Sequence, residues 1–240
     1  MRSVIVLPTY NERENIEVFL RSVREIDAPV DVLVVDDNSP DGTADAARAL
    51  ADELGGITVL SRSEKDGLGS AYRAGFDRVL AGDADVVISM DADLSHDPVV
   101  IPTMLAMIED GADAVIGSRY VRGGGTTDWP THRRLLSKWG NAYTRTVLRL
   151  SANDCTSGYR AYRADALRSI EPTTTQAEGY AFLTELVRRL DRTGAAIEET
   201  PIIFRDRERG KSKMSGRIVV ESMWLVTTWA IADAIGRVRR

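Results

Sequence analysis

Two aspartates one residue apart, Asp91 and Asp93, follow the apolar run Val86 to Met90. Such a run reads as a buried strand, and a chain that turns at its end can bring both carboxylates to one hard cation. Oxygen ligands of this kind suit Mg2+ or Mn2+, ions that also bind a diphosphate. A second acidic pair, Asp36 and Asp37, ends the run Val32 to Val35. A carboxylate there could accept hydrogen bonds from the ring N–H groups of a nucleobase. Pro8 and Tyr10 follow a third run, Val4 to Leu7, and the Tyr10 ring could stack on a base. Lys65-Asp66-Gly67-Leu68-Gly69-Ser70 places two glycines where a backbone could approach a ligand closely.

Each motif alone has rival readings. Asp91 and Asp93 could be solvated turn residues. They could also be the nucleophile and acid of a haloacid-type phosphatase, but such enzymes carry the pair on the first strand, and about 85 residues precede it here. Asp36 and Asp37 resemble the magnesium-holding pair of bacterial receiver domains, again a first-strand feature, in domains about half this length. Gly67-x-Gly69 lacks the N-terminal strand-glycine fingerprint of nicotinamide-binding proteins.

The elements that must position these residues alternate strand and helix. Strands are expected at Val4 to Leu7, Val30 to Val35, Ile57 to Leu60, Val86 to Met90 and Ala114 to Ile116. Asn11 to Glu14 reads as a capping box opening a helix that runs to about Ile26, and a second helix is expected from Thr43 to Leu54. Apolar runs this continuous indicate burial on both faces, hence an α/β fold with a mostly parallel central sheet. Ligands of such sheets bind beyond the carboxyl ends of the strands, where every motif above falls. After Gly117 the rhythm breaks. Gly123 to Thr127 reads as a flexible loop, Leu135 to Leu150 and Phe182 to Arg192 as helices, and Pro201 to Phe204 as a short strand. Arg207 to Gly216 is expected to be mobile, and a last helix to carry Ile218 to Val238.

The chain has 240 residues, 43% hydrophobic, enough for one large α/β domain. Its net charge of −5 gives no reason to expect nucleic acid. Yet basic residues dominate from Arg119 to Arg149 and from Phe204 to Arg217, which points to specific anionic ligands. A single cysteine, Cys155, excludes an internal disulfide, fits a reducing setting and reads as a small buried residue. The N-terminus is too short in apolar residues for a signal peptide. The longest apolar stretch, Ile218 to Ile235, contains Glu221 and Asp233 and is not a clear spanning helix.

Four motifs in order, Pro8 to Glu12, Val34 to Thr43, Asp66 to Tyr72 and Met90 to His96, closely resemble the dolichol (polyprenol) phosphate mannose synthases of the family-two GT-A glycosyltransferases. The resemblance continues through Gly117 to Tyr120, Trp129-Pro130, Gly158 to Tyr162, Phe204 to Arg207 and Gly210 to Lys213, nearly the whole chain. It implies a GT-A fold and GDP-mannose as donor. It places Pro8, Tyr10, Glu12, Val35 and Asp37 at the guanosine, and Asp91, Ala92 and Asp93 at the diphosphate and the Mg2+ or Mn2+ ion. Some relatives have Gln where this chain has Ser95, whose hydroxyl could complete the metal's ligands. The family's basic phosphate ligands correspond to Arg119, Arg133, Arg207 and Lys213, with Ser137 near the acceptor phosphate. His96 adjoins the aspartate pair and could contact a phosphate; His132 stands apart. Glu178 and Glu185 lie where many related transferases place a catalytic base.

A base is not expected here. A phosphate monoester, with a second pKa of about 6, is mostly ionised near pH 7 and can attack unaided. Direct attack inverts the anomeric centre, and the resemblance implies an α-linked donor and a β-linked product. The lipid tail of a polyprenyl phosphate must reach the site. Trp224, Trp229, Arg237, Arg239 and Arg240 give the last helix an interfacial composition, against the plainer reading of a core-packing helix. The expected organisation is a catalytic domain over 1–216 and a membrane-surface helix over 217–240, at the cytoplasmic face of a membrane; a separate anchoring subunit, as some relatives use, stays open. The alternatives are a UDP-glucose or UDP-GlcNAc transferase, and a non-catalytic nucleotide-binding regulator.

Overall fold

The computed structural model describes residues 1–206 and 216–238. The first half runs β1 (Ser3–Thr9), α1 (Arg13–Glu25), β2 (Val30–Asp36), α2 (Thr43–Leu54), β3 (Ile57–Ser61), α3 (Leu68–Leu80), β4 (Val86–Ser89), α4 (Ile101–Glu109) and β5 (Ala114–Ser118). The second half runs β6 (Gly125–Thr126), α5 (Thr131–Leu148), β7 (Arg160–Arg163), α6 (Ala164–Ser169), α7 (Gly179–Thr193), β8 (Ile197–Pro201), β9 (Ile203–Phe204) and α8 (Gly216–Val238).

Seven strands form one sheet in the order β3-β2-β1-β4-β7-β5-β8. Strand side chains alternate between its two faces. Ile5, Leu7, Val32, Val34 and Ile88 pack with α1, α2 and α4 residues such as Phe19 and Met104. Val4, Val6, Leu33, Val35 and Val87 pack on the other face with Tyr72, Phe76 and Phe182 from α3 and α7. Burial on both faces is why these strands read as unbroken apolar runs.

β1 has β2 on one side and β4 on the other, both parallel to it. That reversal of strand order opens a crevice at the carboxyl ends of β1 and β4. β7 is antiparallel to both β4 and β5, so β5 runs parallel to β4 and their carboxyl ends share one edge. The sequence reading has no strand at β7. Only Ala161 and Tyr162 lie between its two arginines, too short a run to show a period.

The capping box expected at Asn11 is absent. Asn11 takes a left-handed φ of 59°, α1 begins at Arg13, and no side chain of its own start caps it. The loop after β2 and the first residue of α2 supply the acceptors instead: Ser39 Oγ, Thr43 Oγ1 and Asp41 Oδ2 accept from the amides of Asn11, Glu12 and Arg13, each at 3.0 Å. Those acceptors come from about 30 residues away, beyond what a local pattern records. Gly123 to Thr127 is not wholly a loop either, since β6 within it pairs with β9. α5 and α7 start earlier than expected, at Thr131 and Gly179. The expected mobile segment from Arg207 lies outside the described residues up to 215.

Candidate active site

The acidic pair at the end of β2 divides its labour. Asp36, the last residue of β2, is held by β1 and the loop that follows β2, accepting from Thr9 Oγ1 at 3.0 Å, Ser39 Oγ at 2.6 Å and Ser39 N at 2.9 Å. Asp37, also buried, accepts from Arg62 Nη1 at 2.8 Å. Burial pushes the Asp37 carboxyl up, and the Arg62 charge only partly offsets it. Arg62 also donates to Ser70 Oγ at 2.6 Å, tying the base-side carboxylate to the start of α3. Lys65 Nζ lies 4.0 Å from the centre of the Tyr10 ring, and Asn15 donates to Glu12 Oε2 at 2.8 Å. Pro8 and Val35 are register partners across β1 and β2. The residues expected around a nucleoside thus share the edge formed by these two strands.

β4 ends at Ser89, and Asp91 and Asp93 follow beside it, Asp93 buried. Leu94 adopts a left-handed φ of 62°, uncommon for a side chain of its size. That turn lets Ser95 N donate to Asp93 Oδ1 at 3.0 Å. Ser95 Oγ is buried with no hydrogen-bond partner among the described residues. Across the crevice the backbone comes close: a Cβ at Gly158 would meet Asp91 Oδ2 at 3.3 Å. Ser89 Oγ donates to Gly158 O at 2.8 Å and holds that turn in place. Among the described residues no group of three or more His, Cys, Asp or Glu could hold a metal. Asp91, Asp93 and the Ser95 hydroxyl are oxygen donors of the kind that suits a divalent cation whose other ligands come from a diphosphate and water.

Arg119 follows β5 and is buried. Its Nε and Nη2 donate to the two oxygens of Asp154, each at 2.7 Å, and Nη2 also donates to Thr156 Oγ1 at 2.8 Å. Asn141 of α5 donates to that same hydroxyl at 3.0 Å. Arg133 stacks on Trp129, 4.1 Å from the ring centre, and donates to Asp206 Oδ2 at 2.9 Å. Ser137 Oγ lies 2.8 Å from the Tyr120 hydroxyl. Arg207 and Lys213 lie outside the described residues.

Sequence reasoning missed Asp154 and the fully buried Arg160. Arg160 donates to the carbonyls of Ser157, Leu183 and Cys155 at 2.7, 2.7 and 2.9 Å, and so braces the turn that carries Asp154 and Gly158. The only prior signal was the motif Gly158 to Tyr162, which says nothing of a partner.

The Gly67-x-Gly69 reading needs correction. The close approach there is made by the chain's own Glu178, whose Oε2 accepts from Gly69 N at 2.9 Å. Gly67 has a φ of 87°, and a Cβ on it would lie 2.5 Å from that oxygen. Glu178 also pairs with Arg73. Glu185 accepts from Ala177 N at 3.1 Å and pairs with Arg189 at 2.7 Å. Both glutamates thus brace the segment before α7. Cys155 is buried, and burial pushes its thiol up to about 12, far from a nucleophile's range. His96 is buried between the rings of Tyr159 and Phe204.

α8 packs on α5 and α7 through buried Val226, a Tyr143–Thr227 hydroxyl contact of 2.8 Å and an Arg188–Asp233 ion pair of 2.6 Å. Trp229 lies against this cluster, whereas Trp224 is 69% exposed. Leu135, Leu136 and Trp139 of α5 are also exposed. Among the described residues no helix is long and apolar enough to cross a membrane.

A mostly parallel α/β sheet with an Asp-x-Asp beyond its switch point is the GT-A architecture of nucleotide-diphospho-sugar transferases. The profile described as Glycosyl transferase family 2 matches residues 4–171, and the chain belongs to that family. It is 47% identical over 232 residues to the undecaprenyl-phosphate mannosyltransferase of Micrococcus luteus, covering 97% of this chain and 95% of that protein. It is 43% identical over 243 residues to the polyprenol monophosphomannose synthase of Mycolicibacterium smegmatis, covering 99% and 90%. Among solved structures, glucosyl-3-phosphoglycerate synthase from Mycobacterium tuberculosis, in complex with Mn2+, UDP-glucose and phosphoglyceric acid, aligns with a TM-score of 0.71 at 22% identity, covering 95% of this chain and 79% of that one. That likeness is one of fold.

Proposed function

We propose that the chain transfers mannose, with inversion, from GDP-mannose to a polyprenyl monophosphate. The observation that carries this reading is the meeting, on one sheet edge, of a carboxylate pair suited to a cation with arginines suited to a phosphate. β4, which leads into the carboxylates, and β5, which leads into Arg119, are separated only by β7, two strand spacings or roughly 10 Å. Two relatives at 43–47% identity over nearly the whole chain bear names of polyprenyl-phosphate mannose transfer, which supports the same substrates.

In this reading Pro8, Tyr10, Glu12, Val35 and Asp37 hold the guanosine. Asp91, Asp93 and Ser95 hold a Mg2+ or Mn2+ ion, with Ala92 beside the diphosphate. When bound, the ion supplies positive charge opposite the leaving diphosphate. Arg119 and Arg133 bind and orient the acceptor phosphate, with Ser137 nearby; Arg207 and Lys213 join them by motif. The acceptor is already ionised, so no side chain need remove a proton.

We further assign 1–216 as the catalytic portion and 217–240 as a surface helix that rests on the cytoplasmic face of a membrane. The exposed Leu135, Leu136, Trp139 and Trp224 support that placement. An anchoring subunit would be a second route to the same surface. The test is transfer from labelled GDP-mannose to a short polyprenyl phosphate with and without divalent metal, run beside UDP-glucose and UDP-GlcNAc. Product from a UDP-sugar alone would reassign the donor. Nucleotide binding without any turnover would make the chain a regulator.

A further inference from the structure

Phe204 sits between the two halves of the site. Its ring meets His96 edge-on at 5.3 Å and Trp129 edge-on at 5.4 Å, centre to centre. The Arg119 guanidinium carbon lies 5.6 Å from the same ring centre. His96 belongs to the loop that carries Asp91 and Asp93, and Trp129 is the platform on which Arg133 stacks. One ring therefore touches the carboxylate loop, one arginine, and the support of the other.

The backbone repeats the connection. Phe204 O accepts from Thr127 N at 2.9 Å, and Arg205 N donates to Ser95 O at 3.2 Å. Asp206, one residue on, accepts from Arg133. Three consecutive residues thus stitch the loop after β4 to the segment that opens α5. Ordinary core packing does not explain the ring. Phe204 is only half-buried and belongs to none of the three hydrophobic clusters, and its strand is two residues long.

We propose that Phe204 is a positioning residue, an assignment that rests on the transferase reading above. Its ring sets the separation between the Asp91–Asp93 loop and the arginines Arg119 and Arg133. Edge-to-face ring contacts and a guanidinium beside a ring are directional, so an aliphatic side chain of similar bulk fills the space without holding the angles. Ordering the carboxylate loop with metal and nucleotide then improves the phosphate site, because both lean on one ring. Misplacing one anion relative to the other by about 1 Å is enough to slow transfer on the order of 100-fold.

The test uses the full chain with Phe204→Leu and Phe204→Tyr. Calorimetry measures affinity for Mn2+–GDP, and for a short-chain polyprenyl phosphate with and without saturating Mn2+–GDP. The wild type should bind the phosphate about tenfold more tightly when Mn2+–GDP is present, within the usual range of coupling between sites. Phe204→Leu should lose that gain while keeping Mn2+–GDP affinity within about twofold, and Phe204→Tyr should restore it. A wild type whose phosphate affinity ignores Mn2+–GDP overturns the proposal, even if it transfers mannose. So does a Phe204→Leu variant that keeps the gain, or one that loses nucleotide affinity and melting temperature together. A wild type that shows the coupling, lost in Phe204→Leu, but moves no mannose overturns the sugar assignment and leaves the positioning role in place.

Discussion

The Arg119 guanidinium grips the Asp154 carboxylate through two hydrogen bonds of 2.7 Å, with both side chains buried. Burial pushes that carboxyl up, but the charge of Arg119 and its hydrogen bonds hold it below the usual carboxylate range. A carboxyl depressed by folding contributes stability fully present above its unfolded pKa of about 3.9 and lost as pH falls through its folded value. Removing either partner leaves the other charge buried, which costs about 3–5 kcal/mol. Asp154→Asn should therefore destabilise the protein by that order at pH 7 in urea unfolding. The penalty should shrink as pH falls from about 4 toward the lowered folded value, through which the wild type loses the same pair. Equal stability of the two proteins at pH 7 would mean the pair contributes nothing net.

The same contact makes Arg119→Ala a poor probe of the acceptor, since lost transfer would be confounded with lost stability. Arg133 pairs with the partly exposed Asp206 and stacks on Trp129, so its removal should cost folding no more than about 1–1.5 kcal/mol. Arg133→Ala should lose at least tenfold in transfer yet keep GDP-mannose affinity, as expected for one charge-assisted phosphate contact of about 1.5–3 kcal/mol. Calorimetry showing donor affinity falling first would move Arg133 to the donor side.

Asp93→Asn keeps an oxygen to accept from Ser95 N but removes a charge from the cation site. Melting should shift by only a few degrees while Mn2+ no longer tightens GDP binding and transfer drops by about 100-fold or more. Undiminished Mn2+-dependent transfer would sink the metal assignment.

A carboxyl group accepts base N–H groups most strongly when ionised, and burial raises Asp37 above an ordinary aspartate. GDP affinity should therefore begin to fall at a higher pH than a pKa of about 3.9 would give. The raised carboxyl also disfavours folding at neutral pH, and that cost disappears on acidification. Titrating GDP into wild type and Asp37→Asn across the acid range checks this; the variant should bind more weakly and lose the step. An identical step in both proteins would place the titrating group elsewhere.

Trp224 and Trp229 share α8 but face different surroundings. Trp224→Ala should weaken flotation with anionic vesicles and leave stability within about 0.5 kcal/mol. Trp229→Ala removes a ring packed on the α5–α7 cluster and beside Arg188 at 5.4 Å, and should destabilise by about 1–3 kcal/mol. Full vesicle binding by Trp224→Ala would remove this residue from the membrane surface.

Much of the site's address was written locally. Val4 to Leu7, Val32 to Val35, Val86 to Met90 and Ala114 to Ile116 are strands because only burial on both faces suits such runs. Polar residues at their exits, Tyr10, Asp37, Asp91 and Arg119, must then fall on the sheet's carboxyl edge. The order of the motifs along the chain carried the family. Partner choice was not written locally. Asp154 lies 35 residues from Arg119, and Glu178 lies 109 residues from the Gly69 amide it accepts. The amides at the start of α1 bond to Ser39, Asp41 and Thr43, not to a box of their own. Periodicity and turn chemistry report only a residue's near neighbours. Which distant carboxylate satisfies a buried arginine or an open amide is decided when the sheet closes, because a buried polar group must find whichever partner the fold brings within about 3 Å.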